Sequence, residues 1–105
     1  MEDRFLEFVN HHALARPEVN QRIAGYEVDM LWRRQHLIVE LDGRSFHDNA
    51  RAFERDRTKD ANLLAQGYAV VRITWRRLTN EPEREAARLR ALLDAAGAAG
   101  TLGDS

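Results

Sequence analysis

The chain has 105 residues and no cysteine, with 44% hydrophobic residues, 31% charged residues and a formal charge of -1. That length supports one domain with a single core, and the lack of cysteine excludes disulfides, thiolate metal sites and a thiol nucleophile. No run approaches the roughly 18 apolar residues of a membrane span and no signal peptide opens the chain, so a soluble, cytosolic setting is expected.

Phe5, Phe8, Val9 and Ala13 recur at helical spacing, so residues 2–13 read as a first helix facing the core. Ala15-Arg16-Pro17 ends it, because the residue before proline avoids the helical region. Val19 to Ala24 reads as a short strand, which Gly25 turns into a second strand over Tyr26–Trp32. A tight turn at Arg33 to Gln35 leads to a third strand, Leu37–Asp42, and then to a loop over Gly43–Asp48. Residues 49–66 read as a second helix, with Phe53, Leu63 and Leu64 as its buried stripe and Gly67 in the closing position that favours glycine.

Tyr68–Trp75 is apolar on both faces at Val70, Val71 and Ile73, which points to a buried interior strand. It should run parallel to the third strand, since an intervening helix is the usual right-handed crossover. Asn80, with Glu83 three residues on, is placed to cap a last helix whose buried stripe is Ala86, Leu89, Leu92, Leu93 and Ala96. The order α-β-β-β-α-β-α describes an α/β fold: a mixed four-stranded sheet with helices on its faces. One domain over residues 1–95 is expected, followed by a disordered tail over 96–105.

Three carboxylates interrupt the most hydrophobic hairpin. Asp and Glu are poor strand formers, yet Asp29 lies in YEVDMLW and Glu40 and Asp42 in LIVELD. Alternation places Val28, Met30 and Trp32 on one face of the second strand, opposite Glu27 and Asp29. In the third strand Glu40 and Asp42 share a face with Ile38, opposite Leu37, Val39 and Leu41. With a loop of Arg34-Gln35, or of the four residues Arg33–His36, residue 29 falls opposite residue 40, where Cβ atoms stand about 4.5–5.5 Å apart. Like charges that close repel unless a cation lies between them. Three oxygen donors converging at one rim of a sheet suit Mg²⁺ or Mn²⁺; for any one of them alone a solvent-facing hairpin surface is the better reading, and the three together favour the metal.

His47, at the end of the loop leaving the third strand, has the chemistry to take or relay a proton near neutral pH. Asp56 and Asp60 fall on or beside the buried stripe of the second helix, where an acid needs a partner. Asp56 is expected to hold His47 or an arginine such as Arg57 or Arg72, and Asp60 to form a boundary salt bridge. Every lysine or arginine except Lys59 is arginine, which suits bidentate phosphate contacts but also follows from a genome rich in G and C. Arg22, Arg44, Arg55 and Lys59 are the candidate nucleic-acid contacts.

Four stretches, EDRFLEFVNHHAL, GYEVDMLW, LIVELDGRSFH and ERDRTKDANLLAQGYAVVRITW, together resemble the restriction-endonuclease-like bacterial domains related to very-short-patch-repair (Vsr) endonucleases, within the wider PD-(D/E)XK nuclease fold. The resemblance runs from Glu2 to about Leu93 and implies an αβββαβ core. Glu2, Asp29, His47 and Asp56 match the EDxHD pattern of Vsr-like nucleases. The PD-(D/E)XK signature also places a lysine two residues after Glu40, where this chain has Asp42. That lysine's role is therefore absent, taken by His47, or supplied from the second helix by Lys59. Cysteine zinc ligands and the histidine-rich stretch of the mismatch enzymes are missing too, so mismatch specificity is not implied.

The resemblance implies an Mg²⁺- or Mn²⁺-dependent endonuclease or nickase acting on DNA and leaving a 5′-phosphate. The rival expectations are a catalytically inactive nuclease-like module that binds DNA or protein, and an RNA-cleaving, toxin-like nuclease. Glu2 sits almost at the first residue, so a longer parent protein with a separate DNA-reading part is also expected.

Overall fold

Left-handed residues at two tight loops set the first three strands. The computed structural model describes residues 2–42 and 50–103. Strands β1 (Glu18–Ile23) and β2 (Tyr26–Trp32) are joined by Ala24 and Gly25, at φ 52° and 85°, the positive values that let a two-residue loop follow the strand twist. The four residues Arg33–His36, with His36 at φ 53°, connect β2 to β3 (Leu37–Asp42) and pair Met30 with Val39, Leu31 with Ile38 and Trp32 with Leu37. Helix α2 (Ala50–Ala65) crosses to β4 (Ala69–Thr74), which lies parallel to β3 from Leu37↔Ala69 to Asp42↔Thr74. The sheet order is β1-β2-β3-β4.

Helices cover both faces. On one, Phe5, Phe8 and Val9 of α1 (Glu2–His11), Leu78 of α3 (Trp75–Asn80) and Ala86, Leu89 and Leu93 of α4 (Pro82–Gly103) pack on Met30, Trp32, Leu37, Val39 and Ile73. On the other, Leu63 of α2 packs on Ile23, Val28, Leu31 and Ile38, with Tyr26, Tyr68 and Val70 around them. Gly67, at φ 94°, closes α2 as expected: Tyr68 N–H bonds to Leu63 O at 3.0 Å and Gly67 N–H to Leu64 O at 2.9 Å, satisfying two carbonyls at the helix end.

Several expectations are corrected. Among the described residues β4 is an edge strand, not an interior one, because its apolar run reflects cover on both faces and not a second strand neighbour. Trp75 leaves the strand to open α3, whose N-cap Thr74 accepts from Arg77 N–H at 3.2 Å. Asn80 ends α3 instead of capping α4, which starts at Pro82, where a missing N–H costs nothing. That last helix runs from Pro82 to Gly103. In α2 Phe53 and Leu64 are exposed, leaving Leu63 as the buried apolar residue among the helix's described side chains. Val28 does not share a face with Met30 and Trp32; it packs in the opposite cluster. Among the described residues no helix is long and apolar enough to cross a membrane.

Because Leu63 is fully buried and Leu64 is 67% exposed, the two neighbours should respond differently to truncation. Leu63→Ala is expected to lower unfolding free energy by about 2–5 kcal/mol in urea titrations, and Leu64→Ala by less than about 0.5 kcal/mol.

Candidate active site

The ladder between β2 and β3 changes character at Asp29. Backbone pairing runs from Trp32↔Leu37 to Met30↔Val39, and the same register carried one step further sets residue 29 opposite residue 40. There side chains replace the main chain as hydrogen-bond partners. Asp29 N–H donates to Glu40 Oε2 at 3.1 Å, and Leu41 N–H donates to Asp29 Oδ2 at 2.8 Å. Two strand N–H groups, which must find acceptors when withdrawn from water, thereby clamp the two carboxylates between the strands.

The like charges are balanced from α2. Lys59 lies one turn before Leu63, so the residue that anchors the helix also aims the ammonium at the sheet. Its Nζ donates to Glu27 O at 2.7 Å and forms an ion pair with Glu40 Oε1. Glu40 is buried, at 6% exposure. Burial pushes its carboxyl above the ordinary glutamate value; Lys59 and the Asp29 N–H draw it back, and the neighbouring Asp29 charge adds to the upward push. Lys59 is therefore turned inward, against Glu40 and the Glu27 carbonyl.

Asp42 takes a different position. It lines a groove of about 440 Å³ with Phe53, Asp56, Arg57, Asp60 and Arg72. Arg72 bridges to Asp56 at 3.6 Å and Asp60 at 3.5 Å, which bears out an arginine partner for Asp56 and a boundary salt bridge for Asp60. Among the described residues no group of three or more acids or histidines is gathered closely enough to hold a metal ion. The expected three-carboxylate convergence thus reduces to the pair Asp29 and Glu40, because Asp42 lies two residues further along β3, at the end opposite Thr74.

Glu2, at the start of α1, accepts from Asn20 Nδ2 at 3.3 Å, and Asn20 is the β1 residue that the register sets opposite Asp29. Arg22 lies at the hairpin end of β1, 4.0 Å from Glu27, and Arg55 is exposed on α2. His47 and Arg44 lie outside the described residues.

A family model, REase_MTES_1575, matches residues 3–93. The chain belongs to this restriction-endonuclease-like family. The REase_MTES_1575 region spans all four strands, Asp29, Glu40 and Lys59, and begins one residue after Glu2. Two uncharacterised proteins of Mycobacterium tuberculosis, from strains CDC 1551 / Oshkosh and ATCC 25618 / H37Rv, are each 33% identical over 94 residues, covering 85% of this chain and 35% of their own length. The chain thus spans about a third of the curated relatives it matches. In structure it is similar to the catalytic domain of the homing endonuclease I-Bth0305I, with a TM-score of 0.74 at 18% identity, over 90% of this chain and 94% of that one. That likeness establishes the fold: a mixed four-stranded sheet flanked by helices.

Two polar residues escaped the sequence reading, of which only Asn20 lies at this site. Asn20 left one signal, an Asn inside a strand run, a residue type enriched at left-handed positions. Glu85, only 2% exposed and paired with Arg88 at 3.2 Å on α4, left the i, i+3 acid–arginine spacing.

A carboxyl held above its unfolded value binds its proton better in the folded state. Glu40's contribution to stability is therefore fullest below about 4.5 and is lost as pH rises through the raised value. Removing the balancing cation should steepen that loss. Lys59→Met is expected to cost about 3 kcal/mol relative to the parent near neutral pH. The deficit should shrink as acid protonates Glu40, read from paired urea melts across the acid-to-neutral range.

Proposed function

We propose that this domain is a metal-dependent endonuclease or nickase that hydrolyses phosphodiester bonds in DNA, akin to the Vsr-like enzymes. The observation that carries this reading is the Asp29–Glu40 pair clamped between β2 and β3 with Lys59 against it. Like charges side by side are costly, the more so when one is buried, and a fold that holds buried Glu40 against half-buried Asp29 through backbone N–H groups has a use for them. The restriction-endonuclease-like family supports a nuclease over other chemistries for such a pair.

The donor set fits Mg²⁺ or Mn²⁺. These ions take one or two carboxylates and keep the rest of their shell for water and phosphate oxygens; Asp29 has Oδ1 beyond its backbone hydrogen bond, and Glu40 would share its Oε1 between the ion and Lys59. Asp29 and Glu40 would hold the ion, which supplies charge against the scissile phosphate and acidifies a bound water. Lys59 takes the place of the lysine missing after Glu40, bringing its ammonium from α2 to Glu40 Oε1 instead of from β3. From there it orients the attacking water and offsets charge building on the phosphate. Glu2 lies beside this rim through Asn20, and we assign the proton relay to His47. Arg72 holds Asp56 and so orders the helix that carries Lys59. In the longer relatives, sequence outside the matched third has room for a DNA-reading part.

Supercoiled plasmid incubated with the protein and Mg²⁺ or Mn²⁺ should be nicked or linearised, and EDTA should stop it. Asp29→Ala, Glu40→Ala and Lys59→Ala should each lower the rate by about a hundredfold or more, whereas Arg84→Ala, on α4 and paired with Glu81, should leave it within about twofold. DNA retardation without cleavage would support an inactive binding module. Preference for an RNA substrate would move the assignment to a ribonuclease.

A further inference from the structure

The carboxylate pair depends on an irregularity in the neighbouring hairpin. Strands β1 and β2 pair at Glu18↔Leu31, Val19↔Met30, Gln21↔Val28, Arg22↔Glu27 and Ile23↔Tyr26. The position missing from this otherwise continuous register is Asn20 facing Asp29. Asn20 has φ 54°, the left-handed region, which is rare inside a strand and tolerated best by Gly and Asn.

The side chains record the consequence. Val19 and Ile23, four residues apart, should share a face, yet they pack in opposite clusters; so do Val28 and Met30, two residues apart. Both strands reverse their alternation at the same step, at Asn20 in one and at Asp29 in the other, which is how they stay in register on either side. Such local breaks in a ladder redirect side chains, and here the redirected residue is Asp29, whose carboxylate crosses to Leu41 N–H. At the same corner Asn20 Nδ2 donates to Glu2 Oε2 at 3.3 Å. One residue thus touches α1 through its amide and sets the strand geometry through its backbone.

We propose that Asn20 is a positioning residue for the carboxylate site, its left-handed backbone turning Asp29 toward β3 and its side-chain amide holding Glu2 at the same corner. The consequence for catalysis rests on the nuclease reading above; the placement of Asp29 does not. The two contributions separate by substitution. Asn20→Gly keeps access to the left-handed region and removes the amide, whereas Asn20→Val removes the amide and opposes that backbone conformation.

The test combines hydrogen exchange of the Leu41 amide, followed by NMR, with plasmid cleavage at varied Mg²⁺ and DNA concentrations. Asn20→Gly is expected to keep Leu41 protection and the KM for DNA while losing kcat by about tenfold, the low end of the loss seen when an outer partner of a metal site is removed. Asn20→Val should also lose Leu41 protection while core amides such as that of Leu89 stay protected; if that variant does not fold, Asn20→Ala makes the same comparison with a smaller side chain. Unchanged Leu41 exchange in Asn20→Val or Asn20→Ala would overturn the backbone role, and full kcat in Asn20→Gly would overturn the role of the amide. If the parent protein cleaves nothing under any metal, the nuclease reading fails, while Leu41 exchange still decides whether Asn20 places Asp29.

Discussion

Strand N–H groups withdrawn from water need acceptors, and between β2 and β3 two of them are served by carboxylates instead of carbonyls. The exchange Asp29 N–H to Glu40 Oε2 and Leu41 N–H to Asp29 Oδ2 keeps the sheet hydrogen-bonded where its backbones no longer pair. It also fixes two negative charges within reach of each other, with their rotamers set by the main chain. Everything proposed for the site follows from that substitution. Loss of either carboxylate would break the sheet's hydrogen bonding as well as the donor set, so at this rim stability and chemistry share the same atoms.

Burying Glu40 beside Asp29 requires compensation, and α2 is built to provide it. Leu63 docks the helix on Ile38 and Leu31, and one turn earlier Lys59 meets Glu40 and the Glu27 carbonyl. Further along the same helix Asp56 and Asp60 receive Arg72 from β4. The helix thus gives the sheet a cation where the sheet is acidic and acids where the sheet offers an arginine. With one described apolar side chain buried on this face, polar pairing carries an unusual share of the docking, which explains why Phe53 and Leu64 remain outside the core.

Much of this was readable before the fold was known. The turn glycines Gly25 and Gly67, the third strand, the parallel partnership of β3 and β4 and the register that sets 29 against 40 all follow from local chemistry, because turn residues and strand alternation act over a few positions. Lys59 as the replacement for a missing lysine was one of three options, and no spacing rule separates them. Choosing among them needs the tilt of α2 over the sheet. An apolar run reports cover on the two faces and is silent about neighbours in the plane, so β4 reads as interior in the sequence and lies at the edge of the described sheet. The stripe of α2 failed for a related reason: Phe53 and Leu64 have the composition of core residues, but the ion pairs at 56, 59 and 60 decided which side of the helix meets the sheet.

The order of elements, the mixed sheet and the presence of acids in an apolar hairpin were determined by the sequence itself, since each arises from interactions between residues close along the chain. Which acids meet was decided only in three dimensions. Alternation is a rule for an unbroken ladder, and a left-handed Asn20 breaks it, sending Val28 to one face, Met30 to the other and Asp29 across to β3. Asp42 obeys the alternation and is nonetheless separated from the pair, because strand rise carries it to the end of β3, where the register sets it opposite Thr74.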